Sequence, residues 1–550
     1  MKKISIIIAF LLPLILHAQS WQWSKQVGGT GMDNAQIFHV DSQHNVFIKG
    51  DYARNIAPPW YGLNCIFEND TLYGNNSSFI AKYSENGTLS WVHNFAPNSS
   101  SKIYSITFDS ISESFFIAGM YHNSVNLQGC GLTGSSQTFF LYKMDLNGNC
   151  IWSKNIGGCA EMFALTCDQY GNLYMSGTIP AGCTLIDTCH ADPGTFIAKF
   201  NPEGWCQWVK TITPPSNSYF SFARLVFQNN DLYALGYING GGTTLIIDTI
   251  VRQIPADNFP LGIICLDSTA HAKWLVLDSY PYGDFEYDAC GVNNQGDFYI
   301  FRPTEVTTYL GNDTLISQGK SSLIMKYNKE GSLLGYNHLL CGSTYRGPNG
   351  RGLSVQNDGT YYITSSFSGT ANFGNYTITA DAAPDMFVAH FTDSGECLGV
   401  DHVGGGHGTS VAADETGVYV TGIFSPEPSN TGSMTIGGNT FHTRGFEDIV
   451  FAKHDLMTGT EEIKQATDYF LVIYANPNKG SFRVKIPTDF ANEKQLELSI
   501  FDMKGKLIGK QSLSISDENP GINIYGQPSG TYAIRLSNGS KSYGGKMIVE

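Results

Sequence analysis

A strongly apolar run, broken by a polar Gly turn and followed by a second alternating run, recurs seven times between Trp21 and Gly459. The copies are FIAKYSENGTLSW (Phe79–Trp91), FFLYKMDLNGNCIW (Phe139–Trp152), FIAKFNPEGWCQW (Phe196–Trp208), GIICLDSTAHAKW (Gly262–Trp274), LIMKYNKEGSLLG (Leu323–Gly335), FVAHFTDSGECLG (Phe387–Gly399) and IVFAKHDLMTG (Ile449–Gly459). Upstream of each stands a second phrase, an Asp, Asn or Gln, a tight turn, and an alternating strand, starting at Asp41, Asp109, Asp168, Gln228, Asn293, Gln356 and Asp414. Alternation of period two flanked by Asn/Asp/Gly turns predicts β-hairpins. A fixed period of about 62 residues predicts a repeat architecture in which each unit buries its faces against its neighbours.

Each unit is read as about four antiparallel strands, one blade of a propeller. The ends of the array carry the closure. The seventh unit stops at HDLMTG (His454–Gly459) without its Trp strand, and the spare copy, WQWSKQVGG (Trp21–Gly29), stands near the N-terminus. Seven complete units exist only if that first strand finishes the last one, which removes exposed sheet edges. The expected fold is therefore all-β, a seven-bladed β-propeller closed by its N-terminal strand. These phrases resemble the seven-bladed propeller repeats of many exported bacterial proteins, over about four-fifths of the chain. The resemblance informs on fold and not on function, because propellers host both binding and catalysis.

Composition fits this picture, with 60 glycines, 13% aromatic and 15% charged residues in 550. The formal net charge of −15 and the lack of a Lys/Arg cluster exclude nucleic acid as a partner. Lys2–Lys3, the apolar run Ile4–Leu16 and small Ala18 read as a signal peptide over residues 1–18, and no later stretch is long and apolar enough to span a membrane. Export makes the 12 cysteines candidates for disulfides. Cys150, Cys206 and Cys397 share one repeat position and read as small core residues, while Cys183/Cys189 and Cys159/Cys167 are the pairs close enough in sequence to bridge.

A polar linker (460–470) leads from the ring (19–459) to a segment of different texture (471–550). YANPNKGSFRVKI, LELSIFDMKGKLIGKQ and PSGTYAIRLSNGSKSYGGKMIVE are alternating strands between Gly turns, as in a small Ig-like β-sandwich. They closely resemble the C-terminal sorting domain of the type IX secretion system of Bacteroidetes. The match lies at Asn476, Pro477, Gly480, Val484, Asp502, Gly505, Lys506, Gly530, Tyr532 and Leu536, and in the ending from Lys546. It departs at Ala475, where the family carries Pro. The resemblance implies passage through the outer membrane, removal of the domain, and a secreted or cell-surface location, with the secretion machinery as partner.

Catalytic signatures dissolve on inspection. Asp393–Gly395 and HGTSVAA (His407–Ala413) echo a Ser-His-Asp protease, yet the first is a repeat hairpin turn and the second a repeat strand. DLNGN (Asp145–Asn149) has too few alternate carboxylates for a calcium loop. No cofactor is expected, and structural calcium is the lesser alternative. The segments between blades vary while the strands do not, and loops on a rigid scaffold are where recognition is built. Tyr280, Tyr282, Tyr287 and Tyr345 offer stacking faces, and Asp284, Arg346 and Arg351 polar clamps, for an extracellular glycan or protein. The expected function is a non-catalytic binding or adhesion protein. The alternatives are a polysaccharide hydrolase or lyase with acids in the funnel, and a purely structural surface protein.

Overall fold

The computed structural model describes residues 20–550 apart from 55–62, 96–100, 135–137, 158–160, 180–188, 190–191, 213–218, 240–241, 255–260, 279–288, 305–307, 311–312, 316–320, 341–351, 382–383, 427–431, 458–470, 472, 488–489, 491–492, 494, 503–505, 515–518 and 539–541. The protein is all-β, with no α-helix among the described residues, and divides into two compact units, Met1–Thr458 and Gly459–Glu550.

In the first unit, strands taken in chain order form antiparallel sheets of four. Sheet 1 pairs Met32–Val40, Val46–Arg54, Ser77–Tyr83 and Leu89–Phe95. Five more sheets repeat this order, with first strands Lys102–Asp109, Glu161–Cys167, Tyr219–Gln228, Ala289–Val292 and Leu353–Val355. Sheet 7 takes three strands, His407–Asp414, Gly417–Phe424 and Asp448–His454, from the end of the unit, and its fourth is Trp21–Gly29. Trp23 pairs with Lys453 as Trp91 pairs with Lys82 in sheet 1, so the N-terminal strand occupies the fourth-strand register. The seven first strands touch one another in chain order, and that of sheet 7 touches that of sheet 1.

The recurring phrases do three jobs. The Asp of the upstream phrase folds its own turn: Asp168 Oδ1 accepts the amides of Tyr170 and Asn172, both at 2.9 Å. The Lys of the downstream phrase reaches back to that Asp. Lys143 lies 3.0 Å from Asp109 and 4.4 Å from the centroid of Phe116, with both charges buried. Burial pushes the Asp109 carboxyl up, but hydrogen bonds from Ser112, Lys143 and the Ile111 amide outweigh it and hold it below the usual range. The Trp joins sheets. Trp23 Nε1 donates to Glu85 O at 2.8 Å, and Trp274 Nε1 to Lys329 O at 2.7 Å, each in the turn of the next sheet. The turn glycines Gly87, Gly204 and Gly331 have positive φ, and a Cβ on any of them would strike the preceding sheet's Trp.

Core side chains accordingly gather between sheets. Phe451 and Val27 of sheet 7 pack with Ile48 and Tyr83 of sheet 1, and Tyr299 and Ile324 of sheet 5 with Ile363 and Phe391 of sheet 6. Four strands per unit is an undercount. Between the second and third strands lies an outer hairpin, such as Ser124–Leu127 with Cys130–Thr133 or Thr370–Phe373 with Tyr376–Thr379. Six of the seven sheets carry one among the described residues.

This hairpin corrects the cysteine reading. Cys150 bonds Cys130 of the outer hairpin and Cys206 bonds Cys189, so two of the three in-register cysteines are disulfide-bonded, the first of them tying the fourth strand to its hairpin. Cys189 is therefore not the partner of Cys183, and Cys167 is a free thiol. Cys397 stays free and buried because Tyr376 stands at the hairpin position of Cys130, donating its hydroxyl to Leu398 O at 2.9 Å. Cys159 and Cys183 lie outside the described residues.

The second unit has two sheets, Ile473–Tyr474, Ser481–Val484 and Gly521–Asn523 in one, and Leu507–Ser514, Gln495–Asp502, Gly530–Ser537 and Ser542–Val549 in the other. Phe482, Val484, Leu498, Leu536 and Met547 form its core.

Candidate functional site

Where the seven first strands meet they enclose a cavity of about 340 Å³, to which every sheet contributes. Its wall includes Gln36 and His39 from sheet 1, Tyr104 and Thr107 from sheet 2, Thr166 from sheet 3, Arg224 from sheet 4, Cys290 from sheet 5, Ser354 from sheet 6 and Ala412 from sheet 7. Each lining strand is short or bulged, as at Ile103/Ser105 and Phe222/Arg224, and a bulge re-aims the side chain that follows it. Sheets converging on an axis set these positions, and no local motif does.

Arg224 is the only described lining residue with a permanent charge, and no carboxylate lines the cavity among them. Its Nη1 donates to Ala223 O at 2.8 Å. His39 stacks on Phe108 with ring centroids 3.8 Å apart, and burial holds its pKa down to about 4 against the pull of Asp41. The imidazole is therefore neutral at pH 7, and its Nε2 has no protein hydrogen-bond partner. Tyr104 is half-buried under the Lys102 ammonium, 5.5 Å from its ring centroid, and donates its hydroxyl to Met120 Sδ at 2.8 Å. The lining therefore includes one guanidinium, one neutral imidazole and several hydroxyls. That set suits a ligand with an acidic group and several hydroxyls.

Acids are concentrated elsewhere. Asp33 and Asp448 are fully buried at the junction of sheets 7 and 1. Burial is the main cause raising both carboxyls, Asp33 to about 7 and Asp448 to about 6, against backbone and Gln26 hydrogen bonds that lower them. Two His–carboxylate groups have metal-like spacing, His44 with Asp414 and Glu415, and Asp381 and Asp385 with His402. Their carboxylates are already engaged: Asp414 by His44, Thr416 and Gly417, and Asp385 by His402 and the Asp381 amide.

The protease echo is structural. Asp393 accepts hydrogen bonds from Lys326 at 2.6 Å and from the Tyr299 hydroxyl, while Ser410 bonds the backbone of Ile37. Burial holds His407 down to about 3. Asp145 of DLNGN accepts the amides of Asn147 and Asn149, an Asx turn. The loop residues Tyr280, Tyr282, Asp284, Tyr287, Tyr345, Arg346 and Arg351 lie outside the described residues. Sequence reading anticipates a central funnel but not its lining, because the wall is a set of isolated residues about 60 apart in the chain.

In the second unit, the Asn476 side chain bridges the last strand, donating to Lys546 O at 2.7 Å and accepting from Ile548 N at 2.8 Å. Pro477 follows a cis peptide bond, and Asn478 Oδ1 accepts Gly480 N at 2.8 Å, with Gly480 at φ +86°. Asp502 Oδ1 accepts Lys506 N, and the Tyr532 hydroxyl donates to Pro528 O at 2.7 Å. Lys506, Gly530 and Lys546 are exposed, and Gly505 lies outside the described residues.

Residues 472–550 match the family model described as the secretion system C-terminal sorting domain. Comparison with curated proteins gives no match. Similar solved structures include a member of the DUF4221 family from Bacteroides vulgatus, 8% identical, covering 79% of this chain and 99% of that one, with a TM-score of 0.28. Another is a protein of unknown function from Bacteroides thetaiotaomicron, 10% identical, covering 77% and 100%, with a TM-score of 0.27. A third is the extracellular domain of a hybrid two-component system from B. thetaiotaomicron, 9% identical, covering 96% and 99%, with a TM-score of 0.18. At these TM-scores none of the three bears on the fold. The sorting domain makes the protein an export substrate of the type IX machinery of Bacteroidetes, destined for the cell surface or the extracellular space. No helix among the described residues is long and apolar enough to cross a membrane.

Proposed function

We propose that the first unit is a seven-bladed propeller serving as an extracellular recognition module, and that it binds a small acidic, hydroxyl-rich ligand such as a uronate-bearing glycan in its central cavity. One observation carries this reading: the cavity draws on all seven sheets and holds Arg224 as the one permanent charge among its described lining residues. A guanidinium recognises a carboxylate through paired N–H groups, and hydroxyls such as those of Thr107, Thr166 and Ser354 suit those of a sugar. The hydrolase alternative needs two carboxylates flanking the bond, and the described lining supplies none, so binding is the better-supported reading. The variable loops, with Tyr282 and Arg346 among them, would extend the site outward to a longer glycan or a protein.

The test is a glycan and extracellular-matrix array probed with the exported chain and with Arg224→Ala. Selective binding to carboxylated glycans, weakened about tenfold or more in the variant, is expected from loss of one charged hydrogen-bonded contact. Equal binding by both proteins would remove the cavity from the account. Absence of any hit would favour a purely structural surface protein.

A further inference from the structure

The Trp position of the repeat carries no side chain in two sheets, at Gly399 of sheet 6, which is buried, and at Gly335 of sheet 5, which is exposed, and the other five sheets define its shape. In five sheets the residue opposite the third-strand Lys or its equivalent is Trp: Trp91, Trp152, Trp208, Trp274 and Trp23 pair with Lys82, Lys143, Lys199, Cys265 and Lys453. Each indole lies beside the aromatic ring of the second strand. Trp23 is 6.3 Å from Tyr419, Trp208 is 6.0 Å from Tyr174, and Trp274 is 6.0 Å from Tyr233. Where its Nε1 bond is defined, at Trp23 and Trp274, it goes to a carbonyl two residues before the turn glycine of the next sheet.

In sheet 5 the same register position is Gly335, paired with Lys326. A Cβ at Gly335 meets no atom within 4 Å. The space is a pocket of about 370 Å³ between sheets 5 and 6. Its wall has the parts that surround Trp23 in sheet 7. Tyr299 stands for Tyr419, Ile324 for Phe451, Lys326 for Lys453, and the Asp393–Gly395 turn for Glu85–Gly87. Tyr361 of sheet 6 adds a second ring, 5.6 Å from Tyr299, and Leu334 forms an exposed rim. Asn337 takes over the hydrogen bond to the turn, donating to Gly395 O at 2.8 Å, and leaves the pocket open.

We propose that this pocket binds a planar aromatic ring carrying an N–H or O–H donor, an indole above all, from outside the protein. The walls are those the fold itself uses to hold indole, the ring would cover the exposed Gly335 against the edge of the buried Tyr299–Tyr361 pair, and the Asp393 carboxylate supplies an acceptor at the pocket edge. Aromatic pairing and burial of a flat apolar surface favour such an occupant. The pocket is separate from the central cavity and stands or falls independently of it.

The test is isothermal titration calorimetry of the whole chain with indole, with N-acetyl-tryptophanamide and with methyl β-glucopyranoside. Indole is expected to bind at one site. Binding of the amide as well would identify the source as a Trp side chain on a polypeptide, and indole alone would point to a free ring. Gly335→Trp fills the pocket from within, so it should keep or raise Tm and weaken binding about tenfold or more. Leu334→Arg alters only the exposed rim and should weaken binding about threefold or more, which keeps the test decisive if the first variant misfolds. No binding of indole up to its solubility, unchanged affinity in the folded variants, or preference for the glucoside would overturn the proposal.

Discussion

Asp448 is fully buried with an Oδ1 that has no hydrogen-bond partner, close to the equally buried Asp33 across Gly28. Burial raises Asp448 to about 6, so folding favours its neutral form. The stability it contributes is fully present below about pH 4, where the unfolded carboxyl is also protonated, and is lost as pH rises through 6. Buried His39 and His407, held down to about 4 and 3, act in the opposite sense and cost stability as pH falls. The difference between wild type and Asp448→Asn isolates the carboxyl. Urea unfolding should show the variant gaining about 2–3 kcal/mol relative to wild type between pH 4 and pH 8. A difference that does not change with pH would contradict the assignment. The Lys143–Asp109 pair gives a second residue-scale test. Asp109→Asn leaves a buried ammonium without its counter-charge, so unfolding in denaturant should show a loss of about 3 kcal/mol.

At the scale of elements, the Trp and the turn glycine are two halves of one joint. Gly204 has φ +75°, and a Cβ there would come within 2.5 Å of Trp152. Gly204→Ala should therefore lower stability by about 2 kcal/mol, read from denaturant midpoints. The sorting domain offers an internal contrast. Gly480 has φ +86°, whereas Gly530 has an ordinary φ and open space at its Cβ. Gly480→Ala should cost about 1 kcal/mol, and Gly530→Ala should leave thermal unfolding unchanged, since exposed substitutions away from strain stay within about 0.5 kcal/mol. A folded Gly530→Ala protein that fails to be exported would mean that the glycine is read by the secretion machinery and not required by the fold.

The strand phrases were legible because turns and alternating faces are local: Asp41, Lys82 and Trp91 each announce a contact made within one sheet or with the next. The outer hairpins escaped notice because their strands are four residues or fewer and vary too much between repeats to align. The same omission hid the disulfides, since Cys130 and Cys189 lie in segments that the repeat phrases do not cover.

For the whole molecule, the export address was readable from three motifs at the chain end, and the family match over residues 472–550 agrees with it. The lining of the central cavity was not readable, because Gln36, Tyr104, Arg224 and Ser354 meet only when seven first strands are brought together. If recognition takes place in the cavity, hydrogen–deuterium exchange will read it in the strands that line it. The exported chain would be compared with and without an oligomer of galacturonic acid. The account predicts added protection in the lining strands Lys102–Asp109 and Tyr219–Gln228, absent in Arg224→Ala. Protection confined to the outer hairpins, or none under saturating oligomer, would contradict it.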